Sequence, residues 1–60
     1  MKRRDLIQRL IALGAVFLEE GGEHTIYLNP RCRLKLPVPR HREISDGVTR
    51  KLLKDASKAG

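Results

Sequence analysis

Sixty residues carry thirteen Lys and Arg against seven Asp and Glu, a formal net charge of +6, and only two aromatic side chains, Phe17 and Tyr27. A chain this short buries only about 60% of the surface it exposes when unfolded, so the expectation is one small domain over residues 1–60, with an aliphatic core and no deep small-molecule pocket. The scarcity of aromatics excludes an RNA-recognition sheet that stacks bases on several rings. The charge points to a polyanion or an acidic protein as partner.

Lys2-Arg3-Arg4 ahead of apolar residues resembles the start of a signal peptide, but Gln8 and Arg9 interrupt the apolar region and cleavage near Gly14 would discard the first helix. Leu10 to Leu18 is nine residues without a charge, far short of the roughly 20 that span a bilayer. No membrane association is expected. Cys32 is the single cysteine, so there is no disulfide framework and the cytoplasm is the simplest compartment. His24, Cys32 and His41 are too scattered for a structural zinc site, and neither a metal nor another cofactor is expected.

In chain order, Leu6, Leu10 and Leu13 recur at helical spacing with Ile7 and Ile11 beside them, which predicts an amphipathic helix over 3–13 ended by Gly14. Two apolar runs, Ala15 to Leu18 and Thr25 to Asn29, flank Glu20-Gly21-Gly22-Glu23 and predict a β-hairpin. By alternation His24, Ile26 and Leu28 share one face of the second strand, expected to be the core side, and Tyr27 the open one. Asn29-Pro30 marks a further turn. Leu34, Leu36 and Val38 alternate with Lys35 and Pro37 as a third strand, which the missing backbone donor of Pro37 either places at the sheet edge or ends early in its regular pairing.

After the Pro39-Arg40-His41-Arg42-Glu43 loop, Ser45 is a natural N-cap and Asp46 suits the helix dipole, so a second helix is expected over 46–57. Val48, Leu52, Leu53 and Ala56 form its apolar side. Arg50, Lys51, Lys54 and Lys58 gather within about 100° on the far side, a stripe that suits either a phosphate backbone or plain solvent. The order helix, three strands, helix predicts an α+β two-layer sandwich, a three-stranded antiparallel sheet with both helices on one face.

The segment Gly21-Gly22-Glu23-His24-Thr25 carries the most chemistry. Glycine lets a backbone approach a phosphate closely, and histidine is the residue type that exchanges protons near neutral pH. The alternative is an ordinary hairpin turn whose histidine merely opens the next strand. Arg40, Arg42 and the second-helix stripe are candidate sources of charge near His24. His41 is either a second proton-transfer group or a loop histidine bonded to backbone or phosphate. Lys2, Arg3, Arg4 and Glu43 read as surface or salt-bridge residues.

Lys2-Arg3-Arg4-Asp5-Leu6-Ile7, Gly21-Gly22-Glu23-His24-Thr25-Ile26-Tyr27, Val38-Pro39-Arg40-His41 and Glu43-Ile44-Ser45-Asp46-Gly47 with Arg50-Lys51-Leu52-Leu53 resemble, in order and spacing, the HicA toxins of bacterial HicBA toxin-antitoxin modules. Ala15 stands where many members carry a bulky aromatic, and Val48 where many carry threonine. The resemblance implies a double-stranded-RNA-binding-domain-like αβββα fold, ribosome-independent cleavage of messenger RNA, and neutralisation by a HicB antitoxin; because RNA carries its own nucleophile, the 2′-hydroxyl, the cleavage is expected to be metal-independent. It assigns the catalytic histidine to His24. Gly21, Gly22, Arg40, His41, Arg42, Arg50, Lys51 and Lys54 are the candidates for RNA binding or transition-state support. A non-catalytic RNA-binding module of the same fold is the alternative, and a basic protein that only docks an acidic partner is a third reading.

Overall fold

Residues 1–59 are described by a computed structural model in which α1 (Arg3–Ala12), β1 (Val16–Glu20), β2 (His24–Asn29), β3 (Leu34–Pro39) and α2 (Asp46–Ala56) follow one another. The sheet is antiparallel with β2 in the middle. Pro37 and Pro39 therefore sit on an edge strand, where their missing N–H groups leave no central ladder bond unmade. Helix α2 lies over β2 and β3, α1 lies over β3, and the two helices pack against each other. Leu6, Leu10, Leu36, Val38, Ile44, Leu52 and Ala56 form the core between the layers, with Ala15 closing it. Burying one such leucine contributes about 1.5–3 kcal/mol.

Helix α1 ends through its neighbours as much as through its own sequence. Gly14 has φ +101°, a left-handed conformation that glycine adopts without strain, and any Cβ there would lie 2.7 Å from Nη1 of Arg31. That Arg31 nitrogen donates to the Leu13 carbonyl at 2.9 Å, while Nη2 donates to Ala56 O. Asn29, fully buried, donates to the carbonyls of Asp55 (2.9 Å) and Lys58 (2.9 Å) and accepts from Arg31 N (3.0 Å). One turn thus satisfies the orphaned carbonyls at the C-terminal ends of both helices.

Two faces differ from the expectation. In β2 the buried residues are Thr25 and Asn29, with Tyr27 packed against the core, whereas His24 is exposed and Ile26 and Leu28 are half-buried on the opposite face. The register makes this unavoidable: Thr25 lies opposite Val38 and Tyr27 opposite Leu36, both core residues of β3. Hydrogen bonding by Thr25 and Asn29 outweighs the preference for burying Ile26 and Leu28, so His24 is on the sheet's open face and Tyr27 is on the helix side. In α2 the buried residues are Thr49, Leu52, Asp55 and Ala56, with Leu53 partly packed. Val48 remains 38% exposed. Asp55 can turn inward because two lysines accompany it.

The α1 stripe is also narrower than its periodicity suggests. Leu6 and Leu10 are fully buried, but Ile11 and Leu13 are exposed, because the helices cover β2 and β3 rather than β1. Every residue of β1 is exposed, and Phe17 meets Tyr27 edge-on with ring centroids 6.0 Å apart. The predicted N-cap of α2 is present, Ser45 accepting from Val48 N at 3.5 Å.

Candidate functional site

His24 opens β2, directly opposite Pro39. A cleft of about 550 Å³ surrounds it, lined by Gly22, Glu23, His24, Pro39, Arg40 and His41. Both imidazoles are exposed, so the cleft offers two proton-transfer groups to a bound solute. The hairpin connection is held by the backbone: Gly21 N donates to His24 O at 2.8 Å, and Arg40 N donates to Glu23 O at 3.3 Å. The Gly21 N–H is accordingly spent on the hairpin and is not free for a phosphate. A side chain at Gly21 would place Cβ 3.1 Å from His24 O, whereas Gly22 has open space around it.

A polar network fixes the backbone around His24. Arg3 donates from Nε to Pro39 O (3.0 Å) and from Nη2 to Thr25 Oγ1 (2.7 Å), and the Thr25 hydroxyl donates to Glu20 Oε1 (3.3 Å). Glu20 pairs with Arg40, which also donates to Gly21 O at 2.7 Å. The arrangement depends on the irregularity between Phe17 and Glu19, after which Glu20, not Glu19, lies opposite Thr25. One extra residue in a strand exchanges its two faces, and here it delivers a carboxylate to the hydroxyl and guanidinium that need it. Arg40 is therefore a structural clamp with a neutralised charge before it is a source of positive potential.

Along the edge of β3 a second groove, about 430 Å³, joins His24 to Lys35, Pro37, Lys51 and Asp55. Lys35 lies opposite Leu28 and so shares the open face with His24, about 13 Å further along the strand. Its alternation with Leu34 and Leu36 already showed a wet face; what separated it from His24 was the inverted face of β2. Of the α2 stripe, Lys51 borders this groove, but Lys51 and Lys58 both pair with Asp55, at 3.0 and 3.5 Å. Hydrogen bonding from Lys51, then the charges of Lys51 and Lys58, hold the Asp55 carboxyl below its usual 3.8 against the opposing effect of burial. Arg50 and Lys54 line neither His24 groove; they border separate recesses on α2. Arg42 faces a basic recess with Lys2, Arg3 and Arg4.

Fold and site together define a small, strongly basic αβββα domain with an exposed, histidine-lined cleft at one end of its sheet. The family model described as HicA toxin of bacterial toxin-antitoxin matches residues 3–57, and the chain belongs to that toxin family. Separate searches of curated proteins and of solved structures found no match. Among the described residues no helix is long and apolar enough to cross a membrane.

Proposed function

We propose that this toxin is a ribosome-independent endoribonuclease that cleaves messenger RNA by general acid-base catalysis, with His24 as the proton-transfer group. The observation that carries the reading is the exposed His24 in an open cleft whose other wall holds His41 and Arg40. RNA supplies its own nucleophile. A base takes the 2′-hydroxyl proton, the 2′-oxygen bonds to phosphorus, and the bond from phosphorus to the 5′-oxygen breaks as that oxygen receives a proton. The products are a 2′,3′-cyclic phosphate and a 5′-hydroxyl. His24 serves one proton transfer, and His41, which lines the same cleft, is the candidate for the other. Each such group contributes about 10²–10⁴ in rate.

Charge developing on the phosphorane needs cations or backbone donors, and Gly22, Arg40, Lys51 and Lys35 are within the two grooves that His24 borders. Gly21, Arg42, Arg50 and Lys54 support the site from outside those grooves: Gly21 by shaping the turn, the three cations by attracting the strand. The chemistry requires no cofactor. We assign the toxin to the cytoplasm, where messenger RNA is available. The natural partner in this reading is a HicB-type antitoxin with acidic surface that covers the His24 cleft, its association slowing and weakening as salt rises.

Incubating the purified protein with mixed-sequence RNA in EDTA tests the activity. Discrete fragments from wild type, and none from a folded His24→Ala variant that still binds RNA, are expected. Binding without any cleavage by wild type would establish the non-catalytic RNA-binding reading instead.

A further inference from the structure

Four cationic side chains, Lys2, Arg3, Arg4 and Arg42, line a recess of about 250 Å³ where the start of α1 meets the loop after β3. No carboxylate lines it. Lys2, Arg3 and Arg42 are in no ion pair among the described residues, and Arg4 only approaches its neighbour Asp5 at 4.0 Å with both side chains largely in water. Glu43, whose backbone pairs with that of Lys2, is absent from the lining. Four like charges around one small volume repel one another, and a bound anion relieves that repulsion.

The recess is joined to the His24 cleft in two ways. Arg3 is bonded to Pro39 O and Thr25 Oγ1, and these residues are the cross-strand partner and the chain neighbour of His24. The loop that follows β3 contributes His41 to the cleft and the next residue, Arg42, to the recess. Arg3 N donates to Arg42 O at 2.9 Å, which holds the recess against that loop. A strand lying in the cleft and continuing around this end of the sheet would bring its next phosphates over these cations.

We infer that the Lys2, Arg3, Arg4 and Arg42 recess is a second phosphate site, which holds the RNA backbone beside the scissile linkage and sets the direction in which the strand crosses His24. This rests on the reading of the toxin as an RNA-cleaving protein, but binding tests it separately from cleavage. The contact is to backbone phosphate, so it is indifferent to base sequence and sensitive to salt.

The test uses the His24→Ala protein and a short single-stranded oligoribonucleotide, with Kd measured against potassium chloride concentration. Replacing Lys2, Arg4 and Arg42 together by Gln should lower the magnitude of the salt slope by about 0.7, the value of one phosphate contact on a single strand, and weaken binding about 5-fold near 0.1 M salt. Arg3 is left in place because it also ties α1 to the sheet. Arg4→Lys with Arg42→Lys should retain both slope and affinity. A control that removes the same charge elsewhere, Arg9→Gln, Arg33→Gln and Lys58→Gln, should change the slope much less; an equal change would show diffuse attraction and overturn the site.

Methylphosphonate replacement of one linkage at a time needs no change to this face of the protein. It should reveal a phosphate outside the His24 cleft whose neutralisation weakens binding, and a flat profile overturns the inference even if the triple variant fails to fold. Unchanged RNA binding with lost antitoxin binding would reassign the recess to an acidic protein surface. Absence of cleavage by wild type, with these binding results intact, would defeat the nuclease reading and leave the phosphate site standing.

Discussion

The two ends of β2 are built for opposite purposes. At one end Asn29 is fully buried, with its side-chain amide shared among the C-terminal carbonyls of α2 and its oxygen engaged by Arg31 N. At the other end His24 is exposed in a cleft and its backbone, rather than its side chain, is what the fold restrains. A buried polar group that loses its partners costs about 1–3 kcal/mol, whereas an exposed one can be removed with little effect. Five residues apart on one strand, one amide fixes the two helices and one imidazole is left free to meet a solute.

The sharpest way to break this comparison is to truncate each end in turn. His24→Ala should lower the RNA cleavage rate by at least the 10²–10⁴ that a proton-transfer group supplies, roughly 3–5 kcal/mol of barrier, while the unfolding midpoint barely moves. Fragment yield with variant whose fold is checked by circular dichroism decides it; wild-type cleavage by folded His24→Ala removes the catalytic role. Asn29→Ala should do the reverse. Removing the amide takes a donor from the carbonyls of Asp55, Ala56 and Lys58, of which the last two keep Arg31, and should cost about 2–3 kcal/mol, with cleavage per folded molecule retained. In a chain of this size that lowers Tm by more than about 10 °C. A Tm within a few degrees of wild type would show that water replaces the amide.

Gly14→Ala tests the same clamp from α1. A left-handed conformation costs a non-glycine residue about 1–2 kcal/mol, and the new Cβ also displaces Arg31 Nη1 from the Leu13 carbonyl. The expected loss is smaller than for Asn29→Ala because the Arg31 side chain can move. Combining Gly14→Ala with Arg31→Ala should therefore be less than additive in urea denaturation. Full additivity would mean that the two residues act independently.

Element order, the caps at Gly14 and Ser45 and the core role of Leu6, Leu10, Leu36 and Val38 were all legible in the sequence, because each follows from local pattern. The face of β2 was not. Ile26 and Leu28 are more apolar than Thr25, Tyr27 and Asn29, and alternation alone puts them inside; the reversal arises from hydrogen bonds to Arg3 and the end of α2, both distant in sequence, and to Glu20 across the hairpin. The same nonlocality hid the clamping roles of Arg3, which in isolation reads as a surface or salt-bridge residue, and of Arg40, which reads only as a source of charge near His24. It also concealed Lys35 as a neighbour of the His24 groove. His24 and His41 were singled out by residue type, but only the pairing of β2 with β3 brings them to one cleft.

The smallest expected effect concerns Asp55, which lies between the two regions compared: its carbonyl is held by Asn29, and the residue borders the His24 groove. The carboxyl titrates below its usual 3.8, first because Lys51 donates a hydrogen bond to it and then through the charges of Lys51 and Lys58, with burial opposing. A carboxyl whose folded-state value is depressed binds its proton more weakly when folded than when unfolded. Its contribution to stability is thus complete above 3.8 and is lost as pH falls through that value toward the lower folded one. The size is limited by burial and by the exposure of both lysine side chains to screening. Urea midpoints measured from neutral pH into acid should fall for wild type in this window, and Asp55→Asn should flatten that part of the profile. An equally steep acid loss in Asp55→Asn would place the responsible carboxylate elsewhere, with Glu20 in the Thr25 network the next to examine.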